Sequence, residues 1–212
     1  MNAGLYDPTD DRDSCGVGLA VSLDGERTHR TVEIGLRLLE KMAHRGAENG
    51  DGKTGDGAGI LVQIPHRFIA SLGIPVPEPG RYGTGLVFLP RDAACADRFM
   101  GLFKAVCQRF AVQVIAVREV PVDHSVPGPM AMEGEPRIVQ VFVSSYDSPD
   151  TLERKLFRIR KIVGNTIAAS EYEGRGDFYI CSLSTRTMVY KGMLPPRQLR
   201  DYYPDLSDPL FE

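Results

Sequence analysis

Apolar positions along this chain recur with two different periods. Residues 15–22, CGVGLAVS, form a short apolar run ending at the turn signal Asp24-Gly25, which predicts a buried strand. From 31 to 43 the spacing changes, and Val32, Leu36, Leu39 and Met42/Ala43 fall on one stripe of a helix. GILVQI (59–64) and GTGLVFL (83–89) read as strands, with a helix over 92–110. VQVIAVREV (112–120) and RIVQVFVSS (137–145) are further strands, separated by a Pro- and Gly-rich loop at 121–136. Residues 149–170 give the longest helix. DFYICSLS (177–184) and TMVYKG (187–192) predict a hairpin turning at Ser184–Arg186, and Pro195 and Pro196 precede a short helix. Strands in neighbouring pairs mixed with helices favour a layered α+β arrangement over a strictly alternating parallel sheet. No repeat or linker divides the chain, so one domain is expected.

Composition narrows the field. The chain has 212 residues, of which 42% are hydrophobic and 25% charged, the balance of a globular domain. A net charge of -3 gives no reason to expect nucleic acid or an anionic membrane as partner. The run Met1–Ser14 carries four Asp and one Arg and lacks the apolar centre of a secretory signal. The cysteines, Cys15, Cys95, Cys107 and Cys181, lie far apart without ligand spacing, so a zinc or iron–sulfur site in this chain is not expected. They read as reduced thiols of a cytoplasmic protein.

Cys15 stands apart because Gly16 and Gly18 leave the backbone beside its sulfur uncrowded. The ordinary reading of a cysteine is a packed small residue. Removal of the short polar segment before it would give Cys15 a free α-amine, whose ordinary pKa of roughly 7.7 to 8.0 suits it to act as base for its own thiol. His44-Arg45-Gly46-Ala47 ends the first helix and, taken alone, reads as C-terminal capping. Gly52-Lys53-Thr54 imitates the end of a phosphate-binding loop, but such a loop needs Gly at position 47, where Ala stands, and a preceding strand. In RKLFRIRK (154–161) the five cations lie opposite Leu152, Leu156, Ile159 and Ile162/Val163, the pattern of a solvated helix face. His29, His44, His66 and His124 are scattered, so spacing identifies no Cys–His pair.

Read together, CGVG, HRGA and TGDGAGILVQIP resemble the start of the class II glutamine amidotransferase domain at the N-terminus of glutamate synthase large subunits. DFYICSLS, VYKGML and YPDLSDPLFE are similar to later segments of that family in the same order, so the resemblance covers essentially the whole chain. It implies an N-terminal nucleophile hydrolase fold, a four-layer α/β/β/α sandwich within the α+β class, incomplete at its C-terminal end. It also implies that residues 1–14 are a propeptide and 15–212 the N-terminal portion of the domain, with Cys15 as catalytic nucleophile. Arg45 matches the family's arginine beside that cysteine, with Gly46 in the same neighbourhood, while Asp56 and Gly57 match the following loop without a role that transfers.

The reaction implied is release of ammonia from glutamine through a Cys15 thioester. The ammonia then passes to a synthase domain that makes glutamate from 2-oxoglutarate. No cofactor is implied for this chain; the whole enzymes of the family use FMN and an iron–sulfur cluster. The implied partners are glutamine, the synthase domain of the same polypeptide or complex, and, in bacterial-type enzymes, a small reductase subunit; neither nucleic acid nor membrane is expected. The family's glutamine-gripping segment H-x-R-F-S-T-N-T and its oxyanion Asn-Gly fall past Glu212, so the chain by itself is expected to be weakly active or inactive. The alternative is a truncated non-catalytic amidotransferase-like module that docks on synthase partner chains.

Overall fold

A computed structural model describes residues 16–46 and 50–212, in which two antiparallel sheets are packed together with helices. The order of elements is α1 (His29–Lys41), β1 (Ala58–Gln63), α2 (His66–Ser71), β2 (Tyr82–Leu89), α3 (Ala93–Arg109) and β3 (Gln113–Glu119). There follow α4 (Pro129–Glu133), β4 (Arg137–Ser144), α5 (Pro149–Ala168), β5 (Tyr179–Ile180), β6 (Thr187–Gly192) and α6 (Leu199–Tyr202). The larger sheet has the strand order β3-β4-β2-β5, and the smaller is a ribbon of β1 and β6. The class is α+β, as the pairing of strands predicts.

The larger sheet is covered on both faces, and side-chain alternation divides its residues between two cores. Val87 and Leu89 of β2 and Val139, Val141 and Val143 of β4 face α3 and α5, meeting Phe99, Phe103, Leu156 and Ile159. Tyr82 and Leu86 of β2 and Ile138 and Phe142 of β4 face the other way, toward the ribbon, α1 and the C-terminal turns. Two glycines of β2 permit close approach. A Cβ at Gly83 would lie 2.2 Å from Leu156 Cδ1, and one at Gly85 would lie 1.7 Å from Ser182 O. Both long helices begin with a side-chain cap: Asp92 accepts from Cys95 N at 2.8 Å, and Ser148 Oγ accepts from Thr151 N at 3.4 Å.

A buried polar chain lies on the ribbon-facing side of the larger sheet. Arg118 of β3 donates from Nη2 to both oxygens of Asp205, at 2.7 and 2.5 Å, and from Nη1 to Gln140 Oε1 at 3.0 Å. Tyr190 of β6 donates to Asp205 at 2.7 Å, and Gln140 donates to Thr84 Oγ1 at 3.0 Å. Every member has a partner, as burial requires.

Two strand expectations are corrected. Residues 177–192 do not form a hairpin: β5 pairs with β2, and β6 pairs with β1 in the other sheet. Glu153 of α5 holds the crossing between them, accepting from Ser184 Oγ, Thr185 N and Thr185 Oγ1 at 2.6–2.8 Å. The turn at 184–186 therefore carries the chain from one layer to the next. The second correction concerns the expected buried strand at 15–22. Among its described residues, 16–22 pair with no strand, and Val17, Leu19 and Val21 are 89%, 85% and 69% exposed. The Ser22–Gly25 turn is present, with Gly25 at φ 71°. The alternation is that of a strand, but no sheet edge lies alongside to satisfy it. The ribbon is similarly one-sided. Ile60, Val62, Met188 and Tyr190 are directed inward, while Leu61 on the opposite face is 64% exposed.

Candidate active site

Three pieces of chain bear on the site: the segment after Cys15, the end of α1, and the glycine-rich loop before β1. Cys15 itself lies outside the described residues, as do Ala47, Glu48 and Asn49 and the side chain of Arg45. Gly18 fixes the path of the first piece. A Cβ there would lie 3.3 Å from Met42 Cε and 3.6 Å from Leu38 Cβ, so the chain passes closely over the last turns of α1.

Helix α1 closes with Met42 N donating to the carbonyls of Leu38 and Leu39, and Ala43–Arg45 add one 3-10 turn. His44 donates from Nδ1 to Lys41 O at 3.0 Å, so the capping expected of the HRGA segment belongs to its histidine. Gly46 then leaves in extended conformation, φ -100° and ψ 159°, and not in the left-handed cap conformation. Glycine is favoured there by crowding: a Cβ would meet Asp56 Oδ1 at 3.1 Å. The end of α1 and the loop carrying Asp56 and Gly57 are thus neighbours.

That loop is tightly built. Asp51 accepts from Lys53 N at 2.9 Å, Thr54 N at 2.7 Å and Thr54 Oγ1 at 2.5 Å. The Thr54 hydroxyl, followed by the backbone N–H groups of Thr54 and Lys53, pulls the Asp51 carboxyl down to about 2. Thr54 is buried and its Oγ1 also accepts from Ala131 N at 3.3 Å, which ties the loop to α4. Gly128 makes this contact possible, since a Cβ there would lie 2.5 Å from Thr54 Oγ1. Gly55 lies flat on the backbone of Leu194–Pro195, where a Cβ would come within 2.6 Å, and Gly57 has φ 137°, which favours glycine. These contacts deliver the chain into β1 in register with β6.

Sequence reasoning singled out Gly52-Lys53-Thr54 only to reject it as a phosphate loop, and missed the part played by Asp51. The signal was available: Asp before Gly with Thr three residues on is the pattern of a side-chain-closed turn. It also missed the Arg118–Asp205 pair, which no local pattern announces. Cys95, Cys107 and Cys181 are buried free thiols, as expected of packed residues. Burial pushes both Cys107 and Cys181 up to about 12. No helix of the described residues is long and apolar enough to cross a membrane.

The profile of the family "Glutamine amidotransferases class-II" matches residues 15–212. The chain belongs to that family. Over nearly its whole length this amidotransferase chain is similar to glutamate synthases. It is 41% identical to the glutamate synthase [NADPH] large chain of Bacillus subtilis over 213 residues, covering 98% of this chain and 14% of the relative. It is 37% identical to glutamate synthase [NADH] of Schizosaccharomyces pombe over 216 residues, 96% of this chain and 10% of the relative. It is 36% identical to ferredoxin-dependent glutamate synthase 2 of Synechocystis over 206 residues, 94% of this chain and 13% of the relative. The chain therefore spans only about a tenth to a seventh of the length of these relatives.

Proposed function

We propose that this chain carries the glutaminase centre of a glutamate-synthase-type enzyme, with Cys15 as nucleophile. The observation that carries this reading is the point at which the family match begins, which is Cys15. Maturation removes residues 1–14, and the α-amine so exposed takes the thiol proton. The thiolate attacks the side-chain amide carbon of glutamine, forming a tetrahedral oxyanion. Return of the proton to the amide nitrogen lets ammonia leave, and a glutamyl thioester remains. Water then cleaves the thioester to glutamate and restores the thiol. Arg45 stands beside the nucleophile and favours its thiolate. Two contacts support that placement. Gly18, three residues after Cys15, packs on Met42, three residues before Arg45, and Gly46 packs on Asp56.

The α+β layering supports the nucleophile-hydrolase sandwich. In the larger enzyme the ammonia is added to 2-oxoglutarate on a synthase domain that holds FMN and an iron–sulfur cluster. The described cysteines of this chain do not fit such a cluster, since Cys107 and Cys181 pack on opposite faces of the larger sheet and no three candidate ligands converge among the described residues.

The test is covalent. Treatment of a whole glutamate-synthase-type polypeptide carrying this chain with a glutamine analogue bearing a diazoketone, followed by peptide mass spectrometry, should place one adduct on Cys15, in molecules that begin at Cys15. Cys15→Ala should take no label and release no ammonia from glutamine. An adduct on Cys95, Cys107 or Cys181 instead, or none at all, would remove the assignment. Labelling of molecules that retain residues 1–14 would remove the α-amine as base.

A further inference from the structure

Past the end of β6 the surface dips into a cavity of about 240 Å³, bounded by the 134–138 turn, residues 176–179 and Gly192–Leu194. Its walls are mainly apolar, with Phe88, Ile138, Leu194 and Tyr203 among them. Two charged groups line it without a charged partner. The Lys191 ammonium lies 4.0 Å from the centroid of the Tyr179 ring, a cation–π contact that holds it against the wall. Neither it nor the Asp177 carboxylate makes an ion pair or side-chain hydrogen bond among the described residues. The third charged group, Glu135, is already engaged. It accepts from the Tyr202 hydroxyl at 2.9 Å, His124 Nδ1 at 3.0 Å and Arg91 Nη2 at 3.3 Å.

We propose that this cavity binds a free L-amino acid with an apolar side chain, its carboxylate on Lys191, its ammonium toward Asp177 and its side chain among Phe88, Ile138 and Leu194. Charge decides the class of ligand. A simple anion entering here would face Asp177 and Glu135, and a simple cation would face Lys191, whereas a zwitterion meets one free charge of each sign. Size agrees, because the volume falls just below the roughly 300–1,000 Å³ typical of sites for drug-sized ligands. The site uses neither Cys15 nor the glycine-rich loop, so it stands or falls independently of the glutaminase reading.

The experiment is calorimetric titration of the 212-residue chain with L-leucine, 4-methylpentanoate, which lacks the ammonium, and leucinamide, which lacks the carboxylate. L-Leucine should saturate a single site, and each incomplete ligand should bind at least about tenfold more weakly, as loss of a charge-assisted contact implies. Lys191→Met and Asp177→Asn should each weaken L-leucine at least about tenfold while leaving the melting temperature within a few degrees. Methyl NMR signals of Ile138 and Leu194 should shift on titration with L-leucine. The proposal is overturned if L-leucine, L-methionine and L-phenylalanine all fail to saturate by about 20 mM. It is equally overturned if 4-methylpentanoate binds as well as L-leucine, or if folded Lys191→Met binds L-leucine normally.

Discussion

The helix-covered face of the larger sheet and the segment that follows Cys15 are both written in apolar periodicity, and they fare oppositely. On the first, Phe99, Phe103, Leu156 and Ile159 of α3 and α5 meet alternate residues of β2 and β4 and are fully buried. On the second, Val17, Leu19, Val21 and Leu23 alternate as cleanly, yet all are largely exposed. A periodic pattern states which side chains an element can bury; it does not supply the surface that buries them. The helices and strands of the first region supply one another. Residues 16–23 meet α1 along the backbone at Gly18 and nothing along their apolar row among the described residues.

The comparison can be broken by substitution. Leu156→Ala, at a buried site packed against Gly83, should cost about 2–5 kcal/mol in equilibrium denaturation. Asp205→Ala should cost a similar amount, about 3–5 kcal/mol, because Arg118 would remain buried with its charge unanswered and Tyr190 would lose its acceptor. Leu19→Ser should change stability by no more than about 0.5 kcal/mol. If Leu19→Ser in the 212-residue chain cost as much as Leu156→Ala, the apolar row would be buried in solution and the contrast would be false.

The same contrast explains which parts of the fold were legible. Helices α1, α3 and α5 and strands β2, β3 and β4 stand within a few residues of their expected places, because their apolar patterns are long and regular. The supposed hairpin at 177–192 was not legible. Its two strands pair with β2 and β1, and the decisive contact is made by Glu153, distant in sequence. At the candidate site, the glycines announced close approach without saying to what. The answers, Leu194–Pro195 for Gly55 and Asp56 for Gly46, depend on packing across the domain. Cys15 and Arg45 were singled out largely through family resemblance, and Cys15 and the Arg45 side chain lie outside the described residues.

A subtler effect concerns the loop that enters β1. The Asp51 carboxyl is held at about 2 by Thr54 and Lys53, below its ordinary unfolded value of roughly 3.9. Its contribution to stability is therefore fully present above about pH 4 and is lost as pH falls through about 2. Carbon-detected NMR of the side-chain carboxyl should give a midpoint near 2, moving toward the ordinary range in Thr54→Val. A midpoint near 4 in the unaltered chain would mean that Thr54 and Lys53 do not hold the carboxyl in solution, and the candidate site would lose a fixed wall.

A modest effect is expected at the thiols, and it sharpens the comparison because the cysteines divide along the same line. Cys107 packs against the helix-covered face and Cys181 against the core on the other side of the sheet, and burial raises both to about 12. An unfolded thiol ionises near 8.5, so between about pH 8.5 and 12 the unfolded chain loses protons that the folded chain keeps. The stability contributed by these two groups is thus complete below about pH 8.5 and declines as pH rises above it. At pH 8 an aromatic disulfide reagent should therefore titrate at most one thiol quickly, assigned by mass spectrometry to Cys15. Cys95, Cys107 and Cys181 should react only on unfolding. Cys107→Ala should leave that fast phase intact and lower stability by about 1 kcal/mol, since it removes a sulfur that contacts only packed side chains. Rapid labelling of Cys107 or Cys181 in the folded chain would show that the two packed faces open as readily as the exposed segment, and the distinction between the regions would collapse.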